Sequence, residues 1–408
     1  MRIGIIKEGR LPPDTRAPLT PVQASFLRNE LDLDLVVESS PHRCFSDDEY
    51  QERQVPIVTD ISDRDILLGL KEVPVNHLIP GKTYFFFSHT IKKQDYNLPL
   101  LRAIIEKKIR LIDYEILTNI LGQRLIAFGH FAGMVGAHNA IWAYGQRTRS
   151  YQLPRMHSLK DYQEAKDIYT SLELPGFRVA LTGTGRVGTG ALQVLKDLGI
   201  KQIEPDDFLA IKEFSSPVFS QLQSHHYAAH KDGGVFDKND FYYNPTDYIS
   251  SFWAYATSTD IFINGIYWDT DSPPFFTIEQ MRLPDFRIQV IADISCDIAP
   301  NASIPCTIRS TTIDNPLFGF DPVKQVEVAP HTPGSVDVMS IDNLPNELPR
   351  DASESFGKQF IKNVLGELLK SEKSQILQRA TVAENGRLGE YFKYLRNWVY
   401  GLKDYHPK

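Results

Sequence analysis

At 408 residues the chain exceeds what one ordinary hydrophobic core organises, so two domains are expected. Its 42% hydrophobic and 23% charged residues are those of a soluble globular protein, and a net charge of −7 without a Lys/Arg-rich block argues against nucleic-acid binding. Apolar runs such as Tyr84 to Phe87 are too short to cross a bilayer, Met1 to Ile6 enters a strand without a signal-peptide core, and Cys44, Cys296 and Cys306 have neither metal-ligand spacing nor a disulfide framework. These features predict a reduced, cytoplasmic enzyme without a metal.

Arg2 to Ile6 reads as a strand, with Lys7 and Glu8 at its carboxyl end. Thr20-Pro21, a hydroxyl cap followed by proline at the first helical position, starts a helix. Leu35 to Val37, Asp65 to Leu70, Thr83 to Phe87 and Arg110 to Tyr114 are further strands, and Leu98 to Lys107 is an amphipathic helix. The alternation predicts an open, mostly parallel α/β sheet. Polar residues follow its strands: Lys7-Glu8, Lys71-Glu72, Ser88-His89, and Asp113 with Glu115. Any one strand must end in something polar, but lysine, histidine and carboxylates at several ends point to one rim. That rim is where open α/β sheets bind ligands.

Phe128 to Arg147 is a helical stretch rich in Gly and Ala, expected to pack closely while crossing between domains; Ser150 to Pro175 is polar and expected to be exposed. Phe177 to Ile200 then gives strand, glycine turn and helix. Val179-Ala180-Leu181 is the strand, and Gly183-Thr184-Gly185-Arg186-Val187-Gly188 carries G-x-G-x-x-G. Ala191, Leu192, Val194, Leu195 and Leu198 form one apolar helix side. Gly183 serves the turn, Gly185 the approach of a pyrophosphate, and Gly188 the packing of helix on strand. A second strand begins at Lys201 and leads to Glu204, about 20 residues past the first glycine, where an acid holds a ribose hydroxyl. Strand, helix and acid together make this a dinucleotide site.

Glu204 to Asp247 reads as irregular. Within it His226 and His230 have helical spacing, but no third ligand accompanies them, and the segment is read as surface rather than metal site. Asp260 to Gly265, Gln289 to Ser295 and Val336 to Asp342 are strands with polar ends, Pro349 to Leu369 is mainly helical, and Tyr405 to Lys408 is expected as an exposed tail. No internal repeat is visible.

RAPLTP (Arg16 to Pro21), KTYFFFSHTIKKQ (Lys82 to Gln94), IRLIDYE (Ile109 to Glu115) and AFGHFAG (Ala127 to Gly133) are followed in order by LTGTGRVGTGA, FINGIYW (Phe262 to Trp268) and SIDNLPNELPRDASE (Ser340 to Glu354). Over nearly its whole length the chain thus resembles the saccharopine dehydrogenases, especially the lysine–2-oxoglutarate reductase half of the aminoadipic semialdehyde synthases. Alanine dehydrogenases and transhydrogenases are more distant relatives. The resemblance implies two Rossmann-like domains, each with an open mostly parallel sheet, and an active-site cleft between them. It further implies a discontinuous substrate and catalytic domain, 1–127 with 346–408, and a dinucleotide-binding domain, 128–345. The implied reaction interconverts saccharopine with L-lysine and 2-oxoglutarate. With no second catalytic domain in these residues, a partner enzyme is expected on a separate chain.

By the same resemblance Lys71 and His89 match the acid–base pair. Arg16, Glu72, Gln94, Glu115 and Arg124 match substrate-side positions, and Asp342 and Asn264 join Gly183, Gly185, Arg186, Val187, Gly188 and Glu204 around the cofactor. An exposed lysine is a cation at neutral pH, so Lys71 needs its amine pKa lowered; Glu72 and Glu115 push the other way. Glu204 disfavours a 2′-phosphate and favours NAD, yet the reductase-like sequences also carry Glu-Pro there, so NADP stays open. A smaller-substrate amino-acid dehydrogenase and a non-catalytic cofactor-binding homologue are the alternatives.

Overall fold

The computed structural model describes residues 1–211, 214–370 and 374–402, and the expected tail Tyr405 to Lys408 lies outside them. The chain divides into two compact units, Met1–Ala127 with Pro349–Lys408, and Phe128–Leu348.

In the first unit, strands β1 (Arg2–Ile5), β2 (Asp34–Glu38), β3 (Ile57–Val58), β4 (Ile66–Leu68), β5 (Thr83–Phe86) and β6 (Arg110–Asp113) are joined in parallel pairs. Their central residues, including Ile5, Leu67, Phe85 and Ile112, are wholly buried, as expected of parallel strands covered on both faces. Thr20 caps the helix Pro21–Asn29 through a reciprocal box with Gln23.

The second unit contributes β7 (Arg178–Thr182), β8 (Lys201–Gln202), β9 (Val218–Leu222), β10 (Ala228–His230), β11 (Tyr248–Ser250), β12 (Ile261–Asn264), β13 (Val290–Asp293), β14 (Phe318–Asp321), β15 (Val326–Val328) and β16 (Val336–Met339). Its main sheet runs β15-β14-β16-β13-β12-β7-β9-β8, parallel except for the antiparallel β14–β15 end, while β10 and β11 form a separate hairpin. The chain then returns to the first unit, where β17 (Thr381–Glu384) and β18 (Arg387–Leu388) complete the order β18-β17-β6-β5-β4-β1-β2-β3.

Three expectations need correction. The stretch 204–247 is not irregular: it contains β9, which pairs directly with β7, and β10, whose antiparallel partner β11 follows at Tyr248. Val-Phe-Ser-Gln-Leu lacks the apolar run of a central strand because Ser220 is buried in the sheet. The small residues of the helix Gly129–Thr148 serve packing inside the second unit. A Cβ on Gly133 would lie 1.9 Å from the Val187 carbonyl oxygen, and one on Gly190 would lie 1.9 Å from that of His130. Finally, His226 and His230 share no helix face, since a short helix ends at Tyr227 and His230 lies in β10. Among the described residues no helix is long and apolar enough to cross a membrane, and no cluster of metal-ligating residues is present.

Candidate functional site

In the first unit the carboxyl ends of β1, β4, β5 and β6 bring charged side chains together. Lys71 leaves β4 half-buried. Desolvation chiefly, then the Arg16 and Arg10 cations, lower its amine pKa, while Asp14 and Glu72 oppose the shift. The unfavourable carboxylate effect anticipated for Glu72 is present but outweighed. His89, held at φ +52°, directs Nδ1 to 2.5 Å from Glu72 Oε1. Burial works to raise the Glu72 pKa, yet the His89 bond and charge hold it below the ordinary carboxylate value. Arg10 approaches the other Glu72 oxygen at 3.6 Å.

Arg16 is buried and gripped in a fork by Asp14, with Nε donating to Oδ1 at 2.9 Å and Nη2 to Oδ2 at 2.6 Å. Glu115 accepts from Arg124 at 2.8 Å and stands 3.6 Å from Lys92 Nζ. Lys71, Glu72, His89 and Arg16 are therefore neighbours, and Glu115 and Arg124 form a pair. Gln94 is exposed on the following turn, joined to neither set by a hydrogen bond or ion pair among the described residues. Asp14, Arg10 and Lys92 were not anticipated; the spacing of Asp14 two residues before Arg16 was the available signal.

In the second unit a cavity of about 600 Å³ opens at the carboxyl ends of β7, β9 and β12. Gly183, Thr184 and Gly185 form one wall, Gly265 to Asp269 another, and Ser224, His225, Tyr227 and Phe241 a third. Gly183 has φ +96°, and a Cβ on it would lie 2.5 Å from the Gly265 oxygen. A Cβ on Gly188 would lie 2.1 Å from the Gly183 oxygen, whereas one on Gly185 would meet no protein atom within 4 Å. Thus Gly183 and Gly188 are required by the turn and its packing, and Gly185 faces open space at the start of the helix Arg186–Asp197. First-turn N–H groups beside such a space fit the pyrophosphate of a dinucleotide. Arg186 is exposed on that first turn, and Val187 packs beneath Gly265.

Three anticipated cofactor residues do not line this cavity. Glu204 follows the two-residue edge strand β8 and stands at the N-cap position of the helix Pro205–Ala210; β9 intervenes between β8 and β7, and Glu204 does not line the cavity. The positions after β9 are Gln223, Ser224 and His225, and Asp269 is the one carboxylate lining the cavity among the described residues. His225 is thus a cavity wall, not the plain surface expected of its segment. Asn264 is fully buried, accepting from Thr182 Oγ1 and donating to Asp293 and Ser303. Its amide ties strand ends together. Asp342 is exposed beyond β16.

The alanine dehydrogenase/PNT N-terminal domain model matches residues 4–135. Alpha-aminoadipic semialdehyde synthase of Rattus norvegicus is 30% identical over 94% of this chain and 46% of its own length. The chain therefore spans about half the length of that relative. Saccharopine dehydrogenase [NAD(+), L-lysine-forming] of Candida glabrata is 30% identical, covering 86% of this chain and 88% of its own. Among solved structures, an L-alanine dehydrogenase aligns with TM-score 0.64 at 15% identity over 98% of this chain and all (100%) of the other. A transhydrogenase from Sinorhizobium meliloti aligns with TM-score 0.59 at 12% identity, over 95% of this chain and 100% of the other, and the two share the fold.

Proposed function

The chain belongs to the saccharopine dehydrogenase family, and on that premise we propose that it interconverts saccharopine, water and oxidised nicotinamide dinucleotide with L-lysine, 2-oxoglutarate and the reduced dinucleotide. The first unit serves as substrate and catalytic domain, and the second binds the dinucleotide along Gly183–Gly188. The observation that carries the reading is the Lys71 amine with lowered pKa beside the His89–Glu72 pair.

A hydride can leave the saccharopine carbon only as its secondary amine loses a proton. Lys71, whose amine pKa is lowered by burial and by the Arg16 and Arg10 cations, takes that proton. The dinucleotide, when bound, supplies the hydride acceptor. His89 then accepts a proton from the water that adds to the carbon–nitrogen double bond, and Glu72 orients the imidazole through Nδ1. Proton return to the departing nitrogen completes lysine and the 2-oxo acid. Arg16, held by Asp14, and Arg124, held by Glu115, offer charge to substrate carboxylates. Gln94 and Asp342 belong to this proposal only as positions matched in the family.

NAD is the proposed cofactor, in keeping with relatives named for NAD(+). One observation favours keeping NADP as a second reading: β9, not β8, adjoins β7, and the residues after it bring no carboxylate against a 2′-phosphate. A cytoplasmic setting is part of the same proposal. The test is reduced-cofactor absorbance after mixing the protein with lysine and 2-oxoglutarate, with NADH and NADPH in separate cuvettes. Oxidation requiring both substrates is expected, and the faster cuvette assigns the cofactor. Activity with ammonia and a small 2-oxo acid instead moves the chain to the alanine-dehydrogenase side.

A further inference from the structure

Lys71 is placed by more than its own strand. The Glu8 carboxylate, just past β1, accepts the main-chain N–H of Leu70 at 2.7 Å on Oε1 and that of Lys71 at 2.9 Å on Oε2. These are consecutive donors on the segment leaving β4, and with both engaged the segment is held in one direction. Gly69 completes the arrangement: a Cβ there would lie 2.7 Å from Ile6 Cδ1 and 3.5 Å from Glu8 Oε1, so the chain runs close over the β1 end. We infer that Glu8 is a positioning residue for Lys71: its carboxylate clamps the Leu70–Lys71 main chain and thereby keeps the amine in its desolvated place.

The clamp is complete only when Glu8 is ionised, because a protonated carboxyl turns one of its oxygens into a donor facing an N–H. The groups acting on Glu8 come from three elements. Asp14 and Arg16 lie on the loop before the first helix, the Leu70 and Lys71 amides follow β4, and the Tyr114 hydroxyl follows β6. Burial first, then the Asp14 charge, push Glu8 up to about 7, against the two amides and Arg16. Lys71 placement is therefore coupled to pH in the neutral range. The clamp tightens as pH rises through that value and loosens below it. This rests on the proposed role of Lys71 only for its effect on turnover; the effect on the Lys71 amine itself does not depend on any reaction.

The test uses the full chain as wild type, Glu8→Gln and Glu8→Asp. It reads kcat, dinucleotide affinity by fluorescence, and the pH midpoint for trinitrophenylation of Lys71 by peptide mass spectrometry. Glutamine sets an amide donor against an N–H, and aspartate is one methylene too short to reach both. For Glu8→Gln a loss in kcat of about ten- to a hundredfold is expected, with dinucleotide affinity unchanged. The Lys71 midpoint should rise toward that of an ordinary lysine as the amine regains water. A Lys71 midpoint unmoved in a folded variant overturns the inference, as does an equal loss of dinucleotide affinity, which marks a general structural defect. If Glu8→Gln fails to fold, Glu8→Asp carries the same readouts. If wild type shows no saccharopine turnover, the proposed function fails while the labelling midpoints still decide the role of Glu8.

Discussion

A lysine serves as a base only as far as its surroundings cost it its charge. Around Lys71 desolvation and the Arg16 and Arg10 cations outweigh Asp14 and Glu72, so the neutral amine is available at lower pH than for an exposed lysine. Lys71→Met is expected to lower turnover by about a hundredfold or more, with dinucleotide affinity nearly intact; unchanged turnover would remove Lys71 from the mechanism. The glycine turn separates two kinds of residue. At Gly185→Val the new side chain enters space empty of protein atoms, so the melting temperature should hold while dinucleotide binding is lost. At Gly188→Ala the Cβ would meet the Gly183 carbonyl oxygen at 2.1 Å, and the fold itself should lose stability. Equal behaviour of the two variants in a melt and a fluorescence titration would refute this division of roles.

At the scale of the element, the helix Gly129–Thr148 is held on both sides. Toward the helix Arg186–Asp197 a Cβ on Gly133 would fall on the Val187 carbonyl, in the first turn after the glycines, and His130 Nε2 lies 3.1 Å from Gln193 Oε1. On another side buried His138 accepts from the Tyr169 hydroxyl through Nδ1 at 2.6 Å and donates through Nε2 to the Pro154 oxygen at 2.8 Å. This arrangement needs the neutral ring, and burial pushes its pKa down to about 4 from 6.5. A depressed folded-state pKa means that the unfolded chain binds the proton more readily. The stabilisation is present above pH 6.5 and is lost as pH falls toward 4. The shift corresponds to about 3 kcal/mol. Thermal melts between those pH values should show a steep decline for wild type and a shallower one for His138→Gln; identical slopes would exclude His138 as the cause.

At the scale of the molecule, the first unit draws on both ends of the sequence. β17 pairs with β6, Phe356 packs edge-on against Tyr114 at 4.9 Å between ring centroids, and Gln23 donates to the Glu354 oxygen. The second unit is continuous, and its sheet and cavity lie wholly within Phe128–Leu348. Residues 128–348 expressed alone are therefore expected to fold and to bind the dinucleotide by fluorescence titration, whereas 1–127 alone should not fold cooperatively. A cooperative melt for 1–127 would show that the C-terminal strand and helices are dispensable to that sheet.

The sequence by itself determined what short-range patterns encode. The Thr20–Gln23 cap, the buried strands β1, β4, β5 and β6 with polar residues after them, and the glycine turn between β7 and its helix were all legible. Each rests on backbone geometry or periodicity within a few residues. The tertiary structure alone decided which strands are neighbours and which side chains meet. Glu204 has the right spacing for a ribose acid, but β9 takes the place beside β7, and Glu204 is left at the end of an edge strand. Asn264 has the right position at a strand end, but its amide is consumed by Asp293 and Ser303. Glu72 meets His89, Asp14 grips Arg16, and Glu8 clamps Lys71 from 63 positions away. Strand order and long-range hydrogen bonding arise from how whole elements pack, and no local spacing carries that information.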